Sequence, residues 1–220
     1  MKKRILKYGS YFFPITVLET DSEYHDLLKV QWCNGKKMLN SKRANYSYGT
    51  LHSVFKYGLS KHKIKLTSQD SVLILGFGAG SVKSILRKDL NFKGQISGVE
   101  IDKKIFELAK EHFNIPNNSS SQFSVIIEDA FQFIEKNDEK FKLIVVDLFY
   151  DLSTPERFLK SNFIAKLSLS LQTNGKILFN IIGQNQLEKL KMSITDNQLK
   201  YKVHSTTKYD VTNHLILINK

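Results

Sequence analysis

Several positions in this chain combine bare backbone or carboxylates with the spacing of strand ends. Ser71-Val-Leu-Ile-Leu-Gly-Phe-Gly-Ala-Gly80 joins a wholly apolar run to three glycines, and Ser81-Val-Lys-Ser-Ile-Leu-Arg-Lys88 then carries Val82, Ile85 and Leu86 at helical spacing. Strand, glycine turn and helix together let a ligand approach bare backbone at a helix N-terminus. Gly76, Gly78 and Gly80 are therefore candidate ligand-binding positions. By itself such a turn suits NAD as well as other nucleotides. Ile96-Ser-Gly-Val-Glu-Ile-Asp102 reads as a second strand ending in Glu100, whose carboxylate can accept hydrogen bonds from both hydroxyls of a ribose. Asp102 is placed to cap the helix 103–113.

Two further strand ends carry acids. Ile126-Ile-Glu-Asp-Ala-Phe131 offers Asp129 and Ala130: the carboxylate can cap the next helix or accept the exocyclic amine of an adenine, with Ala130 keeping the ring slot narrow. Leu143-Ile-Val-Val-Asp147 ends in Asp147, at the tip of a strand expected beside the glycine turn, where a desolvated carboxylate can act as a general base or orient an amine. Tyr150 and Asp151 follow closely and are candidate substrate contacts; Tyr150 and Phe149 can equally be core. Six histidines include no closely spaced pair, so no metal site is expected, and neither a Gly-x-Ser-x-Gly elbow nor a Walker Lys-Ser/Thr is present.

These residues need a scaffold of alternating strands and helices. Candidate strands lie at 72–75, 96–100, 123–127, 142–147, 175–181 and 213–219, with another near 200–206. Helices are expected at about 81–89, 102–113, 129–136, 156–171 and 184–195, preceded by one over 48–62. Alternation of this kind predicts an α/β fold: a doubly wound, mostly parallel seven-stranded sheet. Residues 1–47 read instead as a small antiparallel β appendage to a main domain over 48–220, with strand-like runs at Tyr11–Glu19, Tyr24–Cys33 and Lys36–Asn40 and a hairpin at Asn34-Gly35. It is too small to stand alone, so it should pack on the main domain or pair with another subunit.

Lys and Arg total 33 against 21 Asp and Glu, a net charge of +12, which raises nucleic acid as a partner. The lysines are spread along the chain without interleaved stacking aromatics, which favours a solvated basic surface. No apolar stretch approaches the roughly 20 residues of a membrane helix. The basic start lacks the apolar region of a signal peptide, and the single cysteine, Cys33, suits a reducing cytoplasm and a packing role.

With Gly76–Gly80, Glu100, Glu128-Asp129-Ala130 and Asp147 in that order, the chain resembles the spermidine synthase family within the S-adenosylmethionine-dependent methyltransferase-type fold. Ile74, where ordinary methyltransferases carry an acid, and Val17-Leu-Glu-Thr-Asp-Ser-Glu-Tyr24 ahead of the hairpin extend the likeness. The resemblance implies a cytoplasmic homodimeric transferase that binds S-adenosylmethionine or its decarboxylated form without a metal. The glycines would approach its methionine part, Glu100 the ribose, Asp129 and Ala130 the adenine, and Asp147 the nucleophile of a small-molecule acceptor. The chain departs from the family at three places. Ala79 replaces the Asp of the family's Gly-Gly-Gly-Asp-Gly turn, Asp147-Leu-Phe-Tyr-Asp151 displaces the second Asp of Asp-Ser-Ser-Asp-Pro, and Tyr48-Gly-Thr50 stands for Tyr-His-Glu. An Asp in the turn offsets the cationic tail of the decarboxylated compound and Ala does not, so methyl transfer is the leading expectation. The alternatives are polyamine aminopropyl transfer, a non-catalytic binding protein on the same fold, and an RNA-modifying enzyme.

Overall fold

The structure, a computed structural model, describes residues 2–42, 45–47, 50–62, 64–116, 120, 122–150, 152–208 and 211–219. It opens with a basic helix, α1 (Lys2–Gly9), that the sequence pattern does not announce. The strand expected from Tyr11 begins only after Pro14, whose ring leaves no N–H for a ladder, as β1 (Ile15–Thr20). β2 (Leu28–Cys33) and β3 (Lys36–Ser41) form the expected hairpin, with Asn34 at φ 48° and Gly35 at φ 71° in its turn. A short β4 (Asn45–Ser47) completes a four-stranded antiparallel sheet in the order β1-β2-β3-β4.

The main sheet follows α2 (Thr50–Lys61). β5 (Ser71–Leu75) leads through the glycine turn into α3 (Ser81–Ser84) and a single π-helical turn, Ile85–Asp89, where one continuous helix is expected. Next come β6 (Gln95–Glu100), α4 (Lys103–His112), β7 (Phe123–Ile127), α5 (Ala130–Lys136) and β8 (Phe141–Val146). The helix expected over 156–171 divides into a 3₁₀ turn, Glu156–Leu159, and α6 (Ser161–Leu169), because Lys160 between them is extended. β9 (Leu171–Ile182) starts earlier than expected and bulges near Asn174, which has φ 56°. α7 (Gln184–Asp196), β10 (Lys200–Lys208) and β11 (Val211–Asn219) close the chain.

The seven strands run in the order β10-β11-β9-β8-β5-β6-β7, parallel except for β11, which is antiparallel to both neighbours. β5 shows why its sequence is apolar throughout. Val72 and Ile74 join the core on one face, with α2, α3 and α4; Leu73 and Leu75 join the core on the other, with α5, α6 and α7. Leu28, Val30 and Leu39 of the small sheet belong to the first of these cores. The appendage thus packs on the main sheet's helical layer instead of standing alone.

Candidate active site

The glycine turn lies where β5 meets its two neighbours. The amides of Gly76 and Phe77 both donate to Val99 O at 3.0 Å, and Asp147 N donates to Leu75 O at 2.9 Å. The tips of β6 and β8 are thereby pinned on either side of the turn, which brings Glu100 and Asp147 to the same edge.

Glu100 is buried. Its carboxylate accepts from the Gly78 amide at 2.8 Å and the Asp102 amide at 3.1 Å, so it bridges the glycine turn and the start of α4. Burial raises its pKa against those two hydrogen bonds. Asp102 does cap α4: Oδ1 accepts from the Lys104 and Ile105 amides. Its second oxygen reaches across to the N-terminal segment, accepting from Ser22 Oγ at 2.5 Å and His25 Nδ1 at 3.0 Å. Burial alone would raise the Asp102 pKa, but the bonds from His25, Ser22 and the helix amides outweigh it and hold the carboxyl below its usual 3.8. Asp102→Ala is expected to lower the unfolding free energy by about 3 kcal/mol, about 1 from the cap and the rest from charged hydrogen bonds. Because the folded pKa is depressed, this contribution is complete above the unfolded value of 3.8 and is lost as the pH falls through the folded one. Urea melts of parent and variant at neutral and acid pH check both the size and the sign.

Asp129 caps α5 through Oδ1, bonded to the Phe131 and Gln132 amides, while Oδ2 pairs with Arg157 at 2.5 Å. The capping role is therefore realised, and the oxygen left for a ligand amine is taken by Arg157, which sequence reasoning missed. Ala130 opens α5 and is buried. Asp147 retains some exposed surface, but its carboxylate is enclosed and accepts from Asn180 Nδ2 at 3.0 Å. Burial, with the Glu100 charge adding to it against the Asn180 bond, pushes its pKa up to about 7. Asn180 is wholly buried on β9, and its Oδ1 has no partner. No local pattern marks it; only the parallel pairing of β8 with β9 puts it beside Asp147.

Tyr150 is 59% exposed, so it is not core, and its ring lies 6.1 Å from that of His25 at an interplanar angle of 27°. Asp151, the other candidate substrate contact, lies outside the described residues, as do Tyr48 and Gly49. Gln186 at the start of α7 clamps the loop after β8, accepting from the Thr154 amide at 3.1 Å and donating to Thr154 O at 2.8 Å. Ala79 has no exposed surface and belongs to the same apolar core as Phe77 and Ile115. Among the described residues, no three His, Cys, Asp or Glu side chains gather in a way that could hold a metal ion.

A model of the spermine/spermidine synthase domain matches residues 46–214. The polyamine aminopropyltransferase of Buchnera aphidicola subsp. Acyrthosiphon pisum (strain Tuc7) is 34% identical over 146 residues, 63% of this chain and 49% of that protein. The chain thus spans about half the length of that relative. The polyamine aminopropyltransferase of Buchnera aphidicola subsp. Schizaphis graminum (strain Sg) is 27% identical over 223 residues, covering 93% of this chain and 72% of that one. The crystal structure of a probable spermidine synthase from Corynebacterium glutamicum ATCC 13032 aligns with a TM-score of 0.65 at 17% identity, over 94% of this chain and 77% of that one. At that identity the likeness is one of fold.

Proposed function

The chain belongs to the spermine/spermidine synthase domain family, and from that premise we propose that it is a polyamine aminopropyltransferase, moving the aminopropyl group of decarboxylated S-adenosylmethionine onto an amine of a diamine such as putrescine. The observation that carries the reading is Asp147: an enclosed carboxylate beside the glycine turn, with a pKa pushed to about 7. A general base tuned near the working pH is what an ammonium-bearing acceptor requires. Asp147 takes a proton from the acceptor ammonium. The freed nitrogen lone pair attacks the propyl carbon next to the sulfonium, the C–N bond forms, and the C–S bond breaks with its electron pair going to sulfur. The products are the lengthened polyamine and 5′-methylthioadenosine, and the transfer balances without a metal.

In this reading Glu100 gives up its bonds to the Gly78 and Asp102 amides to hold the ribose hydroxyls, and the amide of Gly78 turns to the ligand. Gly76, Gly78 and Gly80 leave room for its chain, and Ala130 lines the adenine slot with Asp129 beside it. Tyr150 and Asp151 flank the acceptor. Methyl transfer, the leading expectation from Ala79, gives way here. The curated relatives carry the name polyamine aminopropyltransferase, and Ala79 sits within the apolar core, where it answers to packing. The same reading includes a homodimer, a cytoplasmic setting, and the division into 1–47 and 48–220. Among the described residues, no helix is long and apolar enough to cross a membrane.

Incubation with decarboxylated S-adenosylmethionine and putrescine should yield spermidine and 5′-methylthioadenosine in equal amounts, resolved by mass spectrometry. Intact S-adenosylmethionine should leave the diamine unmethylated. A methylated amine, or neither product, would overturn the proposal.

A further inference from the structure

The stretches 27–69 and 197–209 contain no acidic residue. The fold sets the end of the first, α2 and His62, against the second, β10. β10 is the outermost strand of the main sheet, with β11, β9 and β8 between it and the glycine turn of β5, so this basic edge is a separate place from the candidate active site.

Alternation along β10 puts Lys200, Lys202, His204 and Thr206 on one face. The Tyr57 and His204 rings are 4.4 Å apart, and Lys61 Nζ lies 5.1 Å from the centre of the Tyr57 ring. Lys61 Nζ also lies 3.2 Å from His204 Nδ1. An ammonium can only donate, so Nδ1 is the bare acceptor and the ring proton sits on Nε2, facing Thr206 Oγ1 at 3.3 Å. The group facing this histidine is thus a lysine and not a carboxylate.

His62 follows α2, its amide bonded to Gly58 O, and its Nε2 is sealed from solvent without a hydrogen-bond partner. His204, Lys176, Lys61 and Lys202 all bear on it. Burial first, and then those charges, hold its pKa below the usual 6.5. Burial and then Lys61 do the same to His204. Among the described residues, no carboxylate pairs with Lys61, Lys176 or Lys202. Cations and two imidazoles gathered at one edge without a carboxylate among them form an electrostatic arrangement that an anion completes.

We propose that this edge is a binding site for a phosphate group, held by Lys61, Lys176 and Lys202 beside the imidazoles of His62 and His204. A tetrahedral oxyanion has enough acceptor positions to engage three ammonium groups at once. Once bound, it reverses the local balance: His62 and His204 become easier to protonate, so binding takes up protons. The same chemistry is offered by a small phosphorylated molecule and by the backbone of a nucleic acid.

The test titrates the full chain with pyrophosphate and, separately, with a short single-stranded oligoribonucleotide, following the imidazole resonances of His62 and His204 by NMR. Both resonances should shift and their titration midpoints rise, with binding roughly tenfold tighter at about pH 6 than at about pH 8. The double variant Lys61→Gln/Lys202→Gln, both surface positions, should keep its thermal midpoint and lose about tenfold or more of the affinity. Pyrophosphate binding alone assigns a small phosphorylated ligand. Binding of the oligonucleotide at much lower concentration, weakening steeply with salt, assigns a nucleic acid backbone. Resonances unmoved by either probe, or a double variant that binds like the parent, would remove the site.

Discussion

Replacing Asp147 by Asn is expected to lower the rate of the proposed aminopropyl transfer about 10²–10⁴-fold while making the folded protein more stable at alkaline pH. The two effects share one cause. With a folded pKa of about 7 against 3.8 for the unfolded chain, Asp147 binds its proton more tightly when folded. Its contribution to stability is fully present below pH 3.8 and is lost as the pH rises to about 7, above which the buried charge is a constant penalty. A tenfold difference in proton affinity between folded and unfolded chain corresponds to about 1.4 kcal/mol, so the gain from Asn at pH 8 should exceed that at pH 5 by about 2–3 kcal/mol, or several degrees in thermal midpoint. The parent's rate should climb with pH and level off near 7 as the base ionises. Calorimetric melts at the two pH values and a pH–rate profile measure both. A variant that keeps its activity, or gains the same number of degrees at both pH values, would refute Asp147 as a desolvated base.

Gly76→Ala should destabilise the protein by about 3 kcal/mol or more and abolish ligand binding, placing it in the severe tail of point substitutions. Gly76 has φ 81°, and a Cβ built there would stand 2.2 Å from the backbone carbonyl oxygen of Asp147. Relief requires the tip of β8 to move, because the obstacle is main chain and not a flexible side chain. Gly183, at the start of α7, separates the two components of this effect. Its φ of 82° is nearly the same, yet an added Cβ would meet nothing within 4 Å. Gly183→Ala should therefore lose about 2 kcal/mol, from the strain of a backbone at φ 82° and ψ 147° alone. Denaturant melts of the two variants compare them directly; equal losses would show that crowding at Asp147 is unimportant.

The readable parts of this fold are those where one local rule decides. The apolar run Val72–Leu75 announces a strand buried on both faces, Asn34-Gly35 announces a hairpin, and Asp102 and Asp129 stand where caps belong and serve as caps. α1 is hidden because it is short and strongly basic and the aromatic run after it looks like a strand. The placement of Glu100 and Asp147 beside the glycine turn is legible from strand ends, but their partners are not. Asn180 touches Asp147 across 33 residues, Arg157 touches Asp129 across 28, and His25 touches Asp102 across 77. Such contacts are products of sheet order and packing, and no spacing in the chain encodes them. The split at Lys160 and the π turn at Ile85–Asp89 escape for a related reason: each is a local departure from a helix that the periodicity alone would continue.

The double engagement of Asp102 also orders events in time. Its bond to the Lys104 amide spans two residues, whereas its bond to Ser22 closes a separation of 80. Loop-closure entropy grows with the logarithm of length, so the longer closure is the less favourable of the two. The cap therefore forms early, with the helix it starts, and the tether closes only once the strands between are in place. Docking of the N-terminal sheet becomes a late step of folding, completed on a carboxylate that the main domain has already positioned.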